Sequence, residues 1–243
     1  MDVHIWFDYT FSKEFFHKSS KYKYIINKSP KNKYSLYISC EIDRLIKYIP
    51  KKYHSAIITC NSKDQFIAYM HSISLGKYIP NTYYNEPTIF PCIMKPIIGV
   101  AGTDTFLFVT KEEYDSGSIK YNSRFMIQDY ILSNVFNVAH ILCNNGNIVY
   151  SVVYSEKTQP YVIKRGKLIN YTKRCLSDEE IKIFGLIMTG LCYHGVCSVD
   201  FVYDSGGNMK IFEINPRFGG SMFFDKDDFE IFVDKTIEHH IMF

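Results

Sequence analysis

Glu213-Ile214-Asn215-Pro216-Arg217, together with Asp200, places two acids, an amide and an arginine on what the surrounding residues predict to be a β-hairpin. Cys197-Ser-Val-Asp-Phe-Val-Tyr203 and Met209-Lys-Ile-Phe-Glu-Ile214 are rich in β-branched and aromatic residues. Asp204-Ser-Gly-Gly-Asn208 between them is a turn signal, because glycine accepts the positive φ that hairpin turns need. A turn centred on Gly206-Gly207 sets Asp200 opposite Glu213 and Phe201 opposite Phe212. Side chains alternate along a strand, so Glu213 and Asn215 share a face, and Asp200 joins them as the directly opposed residue. A one-residue slip would break the set. Two carboxylates and an amide oxygen suit a hard cation such as magnesium. Taken alone, such a trio reads first as solvated residues on an exposed sheet face, and the Pro-Arg that follows and the features upstream shift that balance.

Composition frames the reading. The chain has 243 residues, 47% hydrophobic and 22% charged, enough for a sizeable core in one or two domains. A net charge of +3 is too small to direct it to nucleic acid or to a membrane surface. Lys18 to Lys33 is locally basic with interleaved tyrosines, which reads as a solvated edge strand and loop before it reads as a nucleic-acid patch. Seven cysteines, with no CxxC pair, fit neither a disulfide framework nor a zinc site and suit a reducing cytoplasm. The start, Met-Asp-Val-His-Ile-Trp, lacks the features of a signal peptide. No stretch approaches the roughly 18 apolar residues of a membrane span.

Along the chain, the pattern predicts strands at Tyr22–Asn27, Tyr34–Cys40 and Ala56–Cys60, with a helix at Glu41–Tyr48. A helix capped by Asn61 or Ser62 runs through Gln65–Met70 and stops near Gly76. Strands follow at Phe90–Lys95, Thr105–Val109, Phe125–Ile131, Phe136–Leu142 and Ile148–Tyr154. Thr110-Lys-Glu-Glu113 and Ser177-Asp-Glu-Glu180 have the form of capping boxes, the second opening a long amphipathic helix to about Tyr193. A short C-terminal helix closes the chain. The loop Gly99-Val-Ala-Gly102-Thr-Asp104 lets backbone N–H groups approach a phosphate, with Lys95 just before it, although a plain turn is the commoner explanation of a lone GxxG. It is neither a Walker loop nor a Rossmann fingerprint.

The order of these pieces resembles the ATP-grasp superfamily, and within it the carbamoyl-phosphate-synthetase-like carboxylate–amine ligases, over residues from about 57 to 224. Asn61-Ser-Lys63-Asp-Gln-Phe resembles the family's first nucleotide-binding lysine, and Phe90-Pro-Cys-Ile-Met-Lys95-Pro96 its second. Gly99–Thr103 is similar to its phosphate-covering loop, which makes Gly99 and Gly102 candidates for nucleotide binding. Met126-Ile-Gln128-Asp129-Tyr130-Ile131 resembles the strand that reads adenine. By that likeness the Gln128 side chain and the backbone of Asp129 and Ile131 meet the base. Asp200, Glu213 and Asn215 fall on the family's metal-ligand positions and Arg217 on its phosphate-contacting arginine.

The resemblance implies an α+β ATP-grasp fold, two α/β lobes clamping ATP. Residues 1–60 form a shortened N-terminal α/β region and 61–243 the ATP-grasp domain, with a lid at about 86–129. It implies an ATP- and magnesium-dependent ligase, with manganese as an alternative ion, that activates a carboxylate as an acyl phosphate and joins it to an amine. Lys95 and Arg217 are then the candidate catalytic residues, and Lys63 a further source of positive charge. Gly219-Gly220-Ser221 offers backbone donors to the intermediate. Lys164 and Arg165 are candidates for phosphate or carboxylate, or a solvated strand end.

The partners implied are small-molecule or peptide carboxylates and amines, with no nucleic acid or membrane, and a homodimer or carrier protein as an option. Two departures stand out. Val135 occupies the position where the family carries a ribose-binding glutamate, leaving Asn134 or Asn137 to substitute, and the region before the first lysine is short. These keep open a catalytically impaired nucleotide-binding regulatory module, and a phosphotransferase on the same scaffold stands as a further alternative.

Overall fold

The computed structural model describes residues 4–7, 23–26, 35–38, 42–99, 103–161, 170–239 and 241. These residues form an α+β fold with three sheets among them. The first is parallel, with β1 (His4–Phe7) between β2 (Lys23–Ile26) and β3 (Ser35–Ile38). A one-turn helix α1 (Ile42–Leu45) follows, inside the expected Glu41–Tyr48 span.

The next segment corrects the sequence reading. Ala56–Cys60, expected as a strand, lies within helix α2 (His54–Asn61). A short run rich in β-branched residues cannot be told from a buried helix by periodicity alone. Here Ala56, Ile57 and Cys60 are buried, at i, i+1 and i+4 on one helical face, so packing decides the outcome over propensity. Helix α3 (Lys63–Ser72) begins after Ser62 as expected.

A four-stranded antiparallel sheet comes next, in the order β4-β7-β5-β6. Its strands are β4 (Thr82–Tyr83), β5 (Cys92–Pro96), β6 (Phe106–Phe108) and β7 (Phe125–Asp129). Helix α4 (Lys111–Ser116) covers it. Only half of the expected capping box forms there. Thr110 Oγ1 accepts the Glu113 N–H, while the Glu113 carboxylate takes the N–H of Val109. Cys92, Met94, Phe125 and Ile127 point to one face, into a small core with Phe108 and Tyr114. Alternation therefore turns Ile93, Lys95, Met126 and Gln128 to the other face, where Ile93 pairs with Gln128 and Lys95 with Met126.

The largest sheet is antiparallel, in the order β10-β9-β8-β11-β12. It contains β8 (Val135–Asn144), β9 (Asn147–Lys157), β10 (Tyr171–Arg174), β11 (Gly195–Tyr203) and β12 (Met209–Asn215). Strand β10 was not anticipated from the sequence. One face packs on helix α5 (Asp178–Gly190) through Ile183, Phe184, Ile187 and Met188, and on α2 and α3 through Ile57, Phe66 and Met70. The capping box at Ser177 and Glu180 is complete. Part of the other face is covered by Phe218, by the 3-10 helix Gly220–Phe224 and by α6 (Lys226–Glu238), against Val138, Leu142, Val152 and Tyr154. The uncovered part of that face, at the β11–β12 edge, carries the candidate site.

Candidate functional site

The β11–β12 hairpin places its polar residues as expected, by a route the sequence did not show. Asp200 pairs with Glu213 and Ser198 with Asn215, but Phe201 pairs with Ile211, not with Phe212. A bulge between the two registers absorbs one extra residue. The turn fixes the offset: Asp204 Oδ1 accepts the N–H groups of Gly206 and Asn208, both at 2.9 Å, and Gly207 takes φ +78°. Met209 and Ile211 face the core before the bulge and Ile214 after it. Phe212 and Glu213 are therefore both outside that core face, and the acid pair survives a change that would have broken it in a regular ladder.

Around Glu213 the side chains form a chain of contacts. Lys63 Nζ lies 3.2 Å from Glu213 Oε2. Asn215 Nδ2 donates to Glu213 Oε1 at 3.2 Å, and Arg217 donates to Asn215 Oδ1 at 3.3 Å and to the Phe218 carbonyl at 3.1 Å. Lys63 Nζ also donates to the Gly99 carbonyl at 3.4 Å, and the Lys63 backbone N–H donates to the Ile97 carbonyl at 3.3 Å. The start of α3 is thus tied to the chain leaving β5. Lys95 is buried, with Nζ 5.7 Å from the centre of the Phe212 ring, which stacks on Phe136. The structure therefore brings Lys63, Lys95, Gly99, Asp200, Glu213, Asn215 and Arg217 together.

Electrostatics in this cluster are mutual. Burial, then the Glu213 carboxylate, pushes the Asp200 carboxyl well above the usual range, against the pull of Arg217 and Lys95. Burial also acts to raise Glu213, but Lys63 and Lys95 outweigh it and hold that carboxyl low. Burial, assisted by the Lys63 charge, lowers Lys95 to about 8, with Glu213 and Asp200 acting in the other direction. Among the described residues no three His, Cys, Asp or Glu side chains cluster, so a third side-chain ligand for a cation here would have to be a neutral oxygen. Asn215 could supply it, and a donor set of two carboxylates and an amide fits a hard cation completed by phosphate and water oxygens.

The base-reading candidates lie on or just beyond β7. Gln128 is on the face that also carries Lys95, and its Nε2 donates to Thr82 Oγ1 at 2.9 Å. The Asp129 N–H is engaged by the Asn81 carbonyl at 3.1 Å, and its Oδ2 accepts from Asn81 Nδ2 at 2.7 Å. Ile131 lies two residues past the end of β7. A Cβ on Gly99 would come within 2.7 Å of the Pro96 ring, so the loop leaves β5 too tightly for a side chain. Gly102, Lys164 and Arg165 lie outside the described residues, as does most of Lys18–Lys33.

Asn137 does not substitute for the ribose glutamate. It is buried on the α5 side of the sheet, where Oδ1 accepts from Ser155 at 2.7 Å and from Arg174 at 3.4 Å. Val135, at the start of β8, is exposed.

Two residues near the site escaped the sequence reading. Phe212 looked like ordinary strand hydrophobe, and only the bulge turns it towards Lys95. His140 is fully buried in β8, with Nε2 2.8 Å from Ser221 Oγ. Burial lowers its pKa to about 3, so the ring is neutral. Its Nδ1 has no hydrogen-bond partner among the described residues. A proton on Nε2 is then the cheaper tautomer, since it leaves a lone pair unpaired and not an N–H. A lone histidine in an apolar strand carries no sequence signal for this contact. Gly219 lies over His140 and Ser198: a Cβ there would meet His140 Cε1 at 2.7 Å and Ser198 Oγ at 2.9 Å.

Known proteins supply an independent comparison. A family model described as the ATP-grasp domain matches residues 74–221. A D-alanine–D-alanine ligase of Francisella tularensis subsp. tularensis (strain WY96-3418) is 27% identical over 217 residues, covering 79% of this chain and 71% of that protein. Among solved structures, the D-alanine–D-alanine ligase of Bacillus anthracis superposes with a TM-score of 0.59 at 13% identity, covering 98% of this chain and 97% of that one. The L-amino acid ligase of Bacillus licheniformis gives a TM-score of 0.55 at 14% identity over 77% of this chain. The chain spans 50% of the length of that ligase. At these identities the structural matches speak for the fold.

Proposed function

The chain belongs to the ATP-grasp family, and from that premise we propose that it is an ATP-dependent carboxylate–amine ligase working through an acyl phosphate. The observation that carries the proposal is the convergence of Lys63, Lys95 and Arg217 on the Asp200–Glu213–Asn215 face. Such an arrangement can hold a triphosphate and offset the charge of a moving phosphoryl group.

In the proposed reaction a substrate carboxylate oxygen attacks the γ-phosphorus of ATP and ADP leaves. An amine then attacks the acyl carbon, inorganic phosphate departs, the nitrogen loses a proton and an amide remains. Asp200, Glu213 and Asn215 would hold magnesium, or manganese in its place, which supplies charge neutralisation at the phosphate oxygens. Lys95, partly desolvated on the floor of the site, acts as a fixed positive charge for the phosphates. Arg217, braced by Asn215 and the Phe218 carbonyl, presents its guanidinium to the transferring group. Gly219 brings the backbone close over the same sheet face. Aligning the reactants and excluding water is most of what the protein contributes.

The substrates proposed are small amino or carboxylic acids. The matched relatives carry names of D-alanine–D-alanine and L-amino acid ligases, which makes alanine of either hand the first pair to try. No helix among the described residues is long and apolar enough to cross a membrane. The test is coupled ADP release with magnesium, ATP and paired amino acids, for the wild type and for Glu213→Ala and Asn215→Ala. Turnover in the wild type and its loss in both variants, with melting temperatures retained, is the expected result. Unchanged turnover in both variants sinks the metal assignment.

Exposed Val135 favours one second reading, a nucleotide-binding module without catalysis. Tight ATP binding with no ADP release across the whole substrate panel would decide for it.

A further inference from the structure

Lys63 is engaged twice in this structure. Its ammonium lies 3.2 Å from Glu213 Oε2 and 3.4 Å from the Gly99 carbonyl, and the side chain is 10% exposed. A divalent cation on Glu213 and the Lys63 ammonium compete for the same carboxylate oxygen. With Asp200 and Glu213 both ionised, as cation binding requires, two negative charges stand against Lys63, Lys95 and Arg217, leaving one net positive charge in the cluster. A divalent cation arriving alone raises that to three in a partly desolvated site, where repulsion is weakly screened. The same cation arriving with a fully ionised triphosphate leaves the cluster at one net negative charge.

We propose that Lys63 makes divalent-cation binding at the Asp200–Glu213 pair conditional on nucleotide, holding Glu213 Oε2 until a triphosphate offers its ammonium another anion. The geometry suits such a transfer. The Lys63 backbone is anchored to Ile97, so the helix end stays in place while the side chain moves. The ammonium already reaches the carbonyl of Gly99, one of the residues that the family resemblance assigns to the nucleotide. Once Lys63 turns to phosphate, Glu213 regains a free oxygen and the metal regains a ligand. Metal and nucleotide then bind with positive coupling, and linkage makes the coupling reciprocal. This inference rests on the metal assignment made under the proposed function.

The test reads binding, not turnover. Free Mn2+ is followed by electron paramagnetic resonance as it is titrated into wild type, Lys63→Met and Lys63→Arg, with and without a saturating β,γ-imido analogue of ATP. Wild type and Lys63→Arg should bind Mn2+ at least about tenfold more tightly with the analogue, inside the roughly 5–150-fold range usual for coupled sites. Lys63→Met should bind Mn2+ alone about tenfold more tightly than wild type and respond less to the analogue. Should Lys63→Met fail to fold, as judged by its melting curve, Lys63→Gln replaces it. Equal Mn2+ affinity of wild type and Lys63→Met without nucleotide overturns the role of Lys63 and leaves the metal site standing. No Mn2+ binding by any of the proteins, even with the analogue, overturns the metal assignment and this proposal with it.

Discussion

Removing the Glu180 carboxylate should cost stability on the order of 3–5 kcal/mol without weakening nucleotide binding. Glu180 is fully buried at the start of α5, on the side of the large sheet away from the candidate site. Its two oxygens accept four hydrogen bonds: from the Arg174 guanidinium at 2.6 and 2.7 Å, from Tyr203 at 2.8 Å and from the Ser177 N–H at 2.8 Å. Hydrogen bonds to a charged group are worth about 1.5–3 kcal/mol each, but the desolvation of the carboxylate offsets much of that sum.

What remains after Glu180→Ala is the heavier term. Arg174 keeps a partly buried charge with no carboxylate, Tyr203 loses its acceptor, and α5 loses half its capping box. For a domain stable by about 5–15 kcal/mol, a loss of that size takes a large fraction of the total. At about 2–4 °C per kcal/mol for a chain of this length, the melting temperature should fall by roughly 6–20 °C.

The pH dependence has a definite sign. Burial acts to raise the Glu180 carboxyl, and Arg174, Ser177 and Tyr203 outweigh it, so the folded pKa lies below the ordinary value. The stabilisation is complete above about 4.3 and is lost as pH falls through the lower folded value. The acid limb of a stability–pH curve should therefore be shallower in Glu180→Ala than in wild type. Urea unfolding at pH 7 and pH 3.5, with binding of the ATP analogue measured in parallel, makes the comparison. A loss below about 1 kcal/mol at pH 7 would show that desolvation cancels the whole network, and the reasoning would fail.

Other outcomes follow from the site. Lys95, lowered to about 8, loses its proton as pH rises through that value, so nucleotide affinity should fall above pH 8 and binding there should take up a proton. Calorimetry in two buffers of different ionisation enthalpy measures this uptake, which should shrink in Lys95→Met, where Asp200 still titrates in the same range. Gly219→Ala should destabilise by about 1–3 kcal/mol, because the new methyl would sit 2.7 Å from His140 Cε1 and 2.9 Å from Ser198 Oγ. Chemical denaturation checks it, and a neutral result would mean that the segment after Arg217 lifts freely off the sheet.

The parts of this protein that were legible in its sequence are those set by neighbours along the chain. The Asp200–Glu213 pair could be read because a strand's period of two and a glycine turn are local features. Ser177 and Glu180 could be read as a capping box for the same reason. The strand reading of Ala56–Cys60 failed where local propensity and burial disagreed, and burial prevailed.

The bulge at Phe212 left no local mark, since the shift depends on which residues the core accepts at Ile211 and Ile214. Asn137 was a candidate for the ribose until the fold turned it to the far side of the sheet.

Sequence alone determined that an acid pair, an amide, two lysines and an arginine occur in an order that the ATP-grasp family shares. Only the tertiary structure decided that Lys63 meets Glu213, that Arg174 meets Glu180 beside Tyr203, and that His140 meets Ser221. The Lys63 and His140 contacts join elements far apart along the chain, and Tyr203 comes from β11 to a carboxylate that Arg174, six residues away, already holds. Their partners are chosen by burial and by the demand that buried polar groups be satisfied, which act through space and leave no period in the sequence.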